Sequence, residues 1–153
     1  MSFKLDIQSY VGVGKLHFGL SQGEIAQLIG ASTRQKKGFS GELTEYRREN
    51  GLLTTYDRDT KKLIEIGFSR NILELEYVNK KLFTDPPFTI FSELIKLDGQ
   101  PYESLGFIVL LNLGITLTGF HDGDVNQQAV TVFARGRWDD LLNELKPFAI
   151  GAN

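Results

Sequence analysis

The chain has no cysteine, and its 153 residues include one tryptophan, one methionine, two histidines and four prolines. Without cysteine there is no disulfide, no thiolate metal site and no cysteine nucleophile. The two histidines, His17 and His121, form no His-x-x-x-His or Glu-x-x-His pair, and no Gly-x-Ser-x-Gly elbow accompanies them. The usual spacings of a zinc site or an esterase nucleophile are therefore missing. No charge sign dominates, because 17 basic and 19 acidic residues leave a net −2. A general nucleic-acid binder carries a basic excess instead. Long apolar runs are lacking too: the longest, around Phe107 to Leu111, is far below the roughly 20 residues of a membrane helix. The opening Met1-Ser2-Phe3-Lys4-Leu5-Asp6 lacks the basic-then-apolar order of a signal peptide. These absences predict a cytoplasmic protein of one domain over 1–153, with no cofactor, metal, nucleic acid or membrane as its partner.

What is present is patterned. Phe3, Leu5 and Ile7 alternate with polar residues, the period of a half-buried strand. Ser21-Gln22-Gly23-Glu24 is a capping box, and Leu20 with Ile25 offers a hydrophobic staple. The spacing predicts a helix over 21–29 with Ile25, Leu28 and Ile29 on its apolar face and Gly30 as its stop. Residues 31–41 turn polar and read as a mobile loop. Strands are expected over 43–48, 52–56, 63–68 and 72–78, separated by Glu49-Asn50-Gly51 and Asp57-Arg58-Asp59-Thr60 turn chemistry. Asp85 is expected to cap a second helix over 86–98, with Pro86 in its first position and Phe88, Phe91, Leu94 and Ile95 as its stripe. Further strands are expected over 106–111, 115–120 and 129–134. A third helix over 137–146 would bury Trp138 against the sheet and stop at Pro147. The predicted fold is α+β: an antiparallel meandering sheet of seven or eight strands, three helices on one face, arranged as two helix-then-meander units.

The chemistry-bearing motifs fall short of their templates. Gly12-Val13-Gly14-Lys15 has Ser9 where a phosphate loop needs its first glycine and Leu16 where it needs a hydroxyl. Asp122, Asp124 and Asn126 match the first three ligands of a calcium loop. Gln127 then replaces the turn glycine, and Phe133 stands at the position of the bidentate glutamate. His17 reads as a partly packed ring and His121 as solvated. Glu65, Glu74 and Glu76 are candidates for a carboxylate cluster on one sheet face, and Arg34, Lys36, Lys37, Arg47 and Arg48 for a basic patch diluted by Glu42, Glu45 and Glu49.

The segment from Leu16 through His17-Phe18-Gly19-Leu20-Ser21 to Gly30 resembles the opening of small β-lactamase-inhibitor-protein-like and SmpA/OmlA-like bacterial domains. The resemblance implies a short helix pair before a meandering antiparallel sheet, sometimes duplicated, in a domain that acts by binding other proteins. It also extends to small cytoplasmic immunity proteins that neutralise a toxin. The chain lacks the paired cysteines of the inhibitor proteins and the lipoprotein cysteine of the exported members, which points away from outer-membrane assembly.

The function expected is a non-enzymatic protein-binding module, most specifically an immunity-type inhibitor of a toxin or enzyme. A small-ligand-binding or enzymatic domain with a carboxylate-lined cleft is the alternative. Tight inhibitors use exposed aromatic anchors ringed by charge, so the contact surface is expected over 34–58. Arg34, Tyr46, Arg48 and Tyr56 are its candidate residues, and the 121–126 loop with Asp122 and Asp124 forms its edge.

Overall fold

A computed structural model describes residues 3–149. Short antiparallel connections organise it. β1 (Ile7–Gln8), β2 (Gly12–Val13) and β3 (Leu16–His17) form a small meander, which leads into α1 (Gln22–Ile29). Four strands follow: β4 (Arg34–Lys37), β5 (Leu43–Arg47), β6 (Leu52–Tyr56) and β7 (Leu63–Ser69). A two-stranded hairpin, β8 (Glu76–Tyr77) with β9 (Lys80–Lys81), then introduces α2 (Pro87–Asp98). Four more strands come after it: β10 (Tyr102–Ser104), β11 (Phe107–Leu110), β12 (Ile115–Thr118) and β13 (Ala129–Phe133). A last short strand, β14 (Lys146–Pro147), pairs with β10.

The large sheet has nine strands in the order β14-β10-β11-β12-β13-β7-β6-β5-β4. Each helix is thus followed by a four-stranded meander, and the last strands of the two meanders, β7 and β13, pair antiparallel with Gly67 opposite Thr131. One face of this sheet carries the core. Leu52, Ile66, Phe68, Val130, Val132 and Leu117 point into a single cluster with Ile25 and Ile29 of α1 and Ile90, Phe91, Leu94 and Ile95 of α2. Leu5, Ile7, Val13 and Leu16 of the N-terminal meander join the same cluster. Among the described residues, no helix is long and apolar enough to cross a membrane.

α1 begins as its capping box dictates. Ser21 Oγ accepts from the Glu24 N–H at 3.2 Å, and Glu24 Oε1 accepts from the Ser21 N–H at 2.9 Å. Both helices end at a glycine with positive φ, Gly30 (88°) and Gly99 (83°). This leaves C-terminal carbonyls in need of donors. Each is met from the central hairpin of the following meander. Asn50 Nδ2 donates to the Ile29 carbonyl at 2.9 Å, and Asn112 Nδ2 to the Asp98 carbonyl at 2.7 Å. Ile29 and Asp98 are the last residues of their helices, so the two units are tied alike. The Asp98 carboxylate reinforces the second tie by accepting from the backbone N–H groups of Gln100, Asn112 and Leu113.

The first tie is reinforced by a buried ionic network. Arg47 Nε donates to the Gly30 carbonyl at 2.8 Å, Nη1 to Thr54 Oγ1 at 2.9 Å and Nη2 to Glu45 Oε1 at 3.2 Å. Glu45 also accepts from Tyr56 Oη at 2.8 Å and from the side-chain amides of Gln22 and Gln35. Burial pushes the Glu45 carboxyl up, but the bonds from Tyr56 and Gln22 and the Arg47 guanidinium outweigh it and hold it below its ordinary 4.5. Burial also pushes the Tyr56 hydroxyl up, to about 12.

Several expectations need correction. Residues 34–37 form an edge strand and not a mobile loop: all four side chains are exposed, so no apolar alternation marks them. The stretch 72–78 is mostly turn, with Leu73 53% exposed and only Glu76–Tyr77 paired. Ile72, Leu75 and Tyr77 are buried there without forming one continuous strand. Pro86, not Asp85, occupies the N-cap of α2, while Asp85 accepts from the Lys81 N–H. Ile90 takes the buried place expected for Phe88, which is 69% exposed. The segment expected as a third α-helix is a 3-10 helix over Asp139–Glu144 with no buried residue. Trp138 is only half-buried there, edge-on to Phe133 with ring centroids 6.3 Å apart. Phe133 lies on the sheet face opposite α1 and α2, because its neighbour Val132 points into their core. This segment therefore does not share their face.

Arg47→Ala would strip Glu45 of its cation and the Gly30 carbonyl of its donor, and should cost about 3–5 kcal/mol in chemical denaturation. Asn50→Ala removes one neutral bond and should cost about 1 kcal/mol. Equal losses in the two variants would contradict the network's role.

Candidate functional site

Strand alternation that sends Glu45, Arg47, Leu52 and Thr54 toward the helices sends their neighbours to the other face. One cross-strand row on this outer face runs Arg34, Tyr46, Leu53, Gly67 and Thr131. On the β10–β13 half, the outward residues Val109, Thr116 and Phe133 are buried. Phe133 packs there against Trp138 and Tyr10, and Arg135 lies 4.4 Å over the Tyr10 ring. On the β4–β7 half the row is open, and Leu53 is 42% exposed.

Glycine in the central strand shapes this open half. A Cβ at Gly67 would sit 3.2 Å from Leu53 Cβ, so Leu53 leans over a position without a side chain. A recess of about 300 Å³ lies beside it, lined by Tyr46, Leu53, Gly67, Thr131 and the 126–128 segment. A second recess, about 460 Å³, lies on the far side of Tyr46 toward Arg34, Lys36 and Thr44. The Arg34 guanidinium stacks 5.2 Å from the centre of the Tyr46 ring, which leaves its cation available at the surface. Gln128, buried at the rim, has a side-chain Nε2 with no hydrogen-bond partner among the described residues.

Of the residues expected in the contact surface, Arg34 and Tyr46 come together in this groove. Arg48 is exposed in the β5–β6 turn, where its N–H donates to Thr33 Oγ1. Asp122 and Asp124 are exposed in the β12–β13 connection, with the Asp124 N–H held by Asp122 Oδ1 at 3.1 Å. The same connection supplies Asn126 and Gln127 to the groove. Tyr56 is a correction: it is 1% exposed and faces the helices, since Leu52, Thr54 and Tyr56 share one parity of β6. Arg47 leaves the expected basic patch for the same reason. Leu53, Gly67 and Gln128 were not anticipated. The signal that could have found Gly67 is a glycine inside an otherwise strand-like run.

A second concavity, about 550 Å³, lies at the end of the sheet marked by the β6–β7 turn, with Glu42, Asp57, Arg58, Arg135, Arg137 and Asp140 around it. Arg137 of its wall pairs with Glu65, which does not itself line the concavity (Nε to Oε1, 3.0 Å). Burial pushes the Glu65 carboxyl up and nearby Glu42 adds to this, while Arg137 pulls it back without cancelling the rise. Asp57 is committed to its own turn, where it accepts from the N–H groups of Asp59 and Thr60 and is held below its ordinary range by those bonds. The expected carboxylate cluster does not form. Glu76 sits in the β8–β9 hairpin with Lys4 and Lys81, away from the Arg137 partner of Glu65, and Glu74 is exposed in the preceding turn. Among the described residues no three His, Asp or Glu side chains converge as a metal set.

The histidines reverse their expected places. His17 is exposed. His121 is half-buried, 5.8 Å from Phe91 and 5.9 Å from Phe148 between ring centres.

No family model, curated protein or solved structure matches this chain.

Glu65 gives a pH dependence with a definite sign. Its folded pKa is raised, so its favourable contribution is complete below the unfolded value and is lost as pH rises through the folded one. Glu65→Gln keeps an acceptor for Arg137 and removes the ionisation. Relative to the parent, the variant's melting temperature should be higher at about pH 8 than at about pH 4. An equal difference at both pH values would contradict the assignment.

Proposed function

We propose that this chain is a non-enzymatic protein-binding module that works from the open outer face of β4–β7. The observation that carries the reading is the open row of Arg34, half-buried Tyr46 and Leu53 beside Gly67, the last three on strands whose other face holds the buried Glu45, Arg47, Leu52, Thr54, Ile66 and Phe68. A stacked aromatic–arginine pair on an otherwise uncovered sheet has the composition of a binding hot spot. A cytoplasmic immunity-type inhibitor, neutralising a partner toxin or enzyme, is the specific form implied by the resemblance of the Leu16–Gly30 segment. One observation favours a second reading, a ligand-binding or enzymatic cleft: the raised carboxyl of Glu65 beside the concavity between Glu42, Arg137 and Asp140. Perturbed carboxylates in clefts are candidates for proton transfer.

A photo-crosslinking amino acid at Leu53, on the floor of the groove, distinguishes the two. The control position is Leu97, which is exposed on α2 away from it. In an extract of the source cells, Leu53 should give a discrete protein adduct and Leu97 none. No adduct at Leu53, or the same adduct at both positions, would overturn the module reading.

A further inference from the structure

The open face ends at a strand edge with its own polarity. β4 is the last strand of the large sheet, and no other strand among the described residues pairs with its far side. The Gly38 N–H donates to the Glu42 carbonyl at 2.8 Å. With this register, Arg34 and Lys36 also turn their backbone groups toward β5, at Tyr46 and Thr44. By the period of two, the N–H and C=O groups of Gln35 and Lys37 face outward from the sheet. The side chains alternate the other way. Gln35 reaches the helix side, where it donates to Glu45, while Arg34 and Lys36 stand on the groove side. All four side chains of β4 are exposed and three of them are cationic. Beyond Lys37, the tip of the β4–β5 hairpin holds Phe39, which is fully exposed.

We infer that β4 is a docking edge for an extended acidic segment of the partner, added as a tenth strand, with its carboxylates beside Arg34 and Lys36 and an apolar residue at one end against Phe39. This deepens the protein-binding reading and rests on it. The backbone groups of Gln35 and Lys37 supply the ladder hydrogen bonds of strand addition, and side chains at alternate positions set the choice of segment. Opposite charges directly across a pair of strands are favourable and like charges unfavourable. A second copy of this chain added through β4 would set Arg34, Lys36 and Lys37 against the same cations, so the edge rejects itself and admits an acidic strand.

The test uses the intact protein, isotope-labelled for amide NMR. It is titrated with an acetylated heptapeptide alternating glutamate and valine, and with the same peptide carrying lysine in place of glutamate. The glutamate peptide should shift the Gln35 and Lys37 amides and slow their hydrogen exchange roughly tenfold at saturation, and added salt should weaken it. The lysine peptide should do neither. An Arg34→Glu, Lys36→Glu double variant, confirmed folded by its amide spectrum, should lose the glutamate peptide and gain the lysine one. Three results would overturn the inference: no change at Gln35 and Lys37, equal binding of both peptides, or concentration-dependent broadening of the β4 amides without peptide, which would identify a second copy as the occupant. A Leu53 adduct that persists while the peptide fails removes strand addition alone. Loss of both removes the binding face as well.

Discussion

Both α-helices of this fold end at a glycine, and the carbonyls left behind must find donors inside the protein. That constraint decides how the helices sit on the sheet. Asn50 and Asn112, each in the central hairpin of a meander, donate to the last helical carbonyl of α1 and α2. Each asparagine is followed within two residues by a glycine with positive φ, Gly51 at 69° and Gly114 at 74°, which allows the tight turn to present the amide. The units then diverge. The first adds a cation, Arg47, whose charge suits a helix C-terminus. The second adds the Asp98 carboxylate, which accepts from the backbone N–H of Gln100 just beyond the helix and from those of Asn112 and Leu113 in the β11–β12 turn.

Fixing the helices on one face leaves the other face to be dealt with separately. The β10–β13 half buries its outward Val109, Thr116 and Phe133, with Trp138 and Tyr10 packed on Phe133. The β4–β7 half has no such cover at Leu53. The same alternation that sends Glu45 and Arg47 inward as a paired network sends Tyr46 and Leu53 outward. The buried charges and the exposed groove are thus two consequences of one strand register. A one-residue slip of β5 would expose the ionic network and bury Tyr46 beneath α1.

Elements with strong local signals were legible in the sequence. α1 was marked by its capping box and its glycine stop, and β5, β6, β7, β11, β12 and β13 by alternation and turn chemistry. β4 escaped because Arg34-Gln35-Lys36-Lys37 carries no apolar residue to mark a strand period, although Gln35 and Arg34 reach Glu45 and Tyr46 across the pair with β5. β10 and β14 are too short to show a period. The 72–78 run has the composition of a strand, but its Ile72 and Leu75 N–H groups close local turns to Ser69 and Ile72. The 137–146 run has helical spacing, yet its leucines find no core to face and the chain tightens into a 3-10 helix. At the candidate site, charge and aromatic content singled out Arg34 and Tyr46, whereas Tyr56 was assigned to the wrong face. Which side of a strand meets the helices depends on tertiary register, and each tyrosine looks alike in sequence.

The most direct measurement of this account is solvent exposure read methyl by methyl across β6. Leu52 and Leu53 are adjacent, and the register places Leu52 wholly in the core and Leu53 on the open face. With a soluble paramagnetic relaxation agent, the Leu53 methyls of the isolated protein should relax strongly and the Leu52 methyls hardly at all. Equal protection of both leucines would show the outer face to be covered and would contradict the account at its centre.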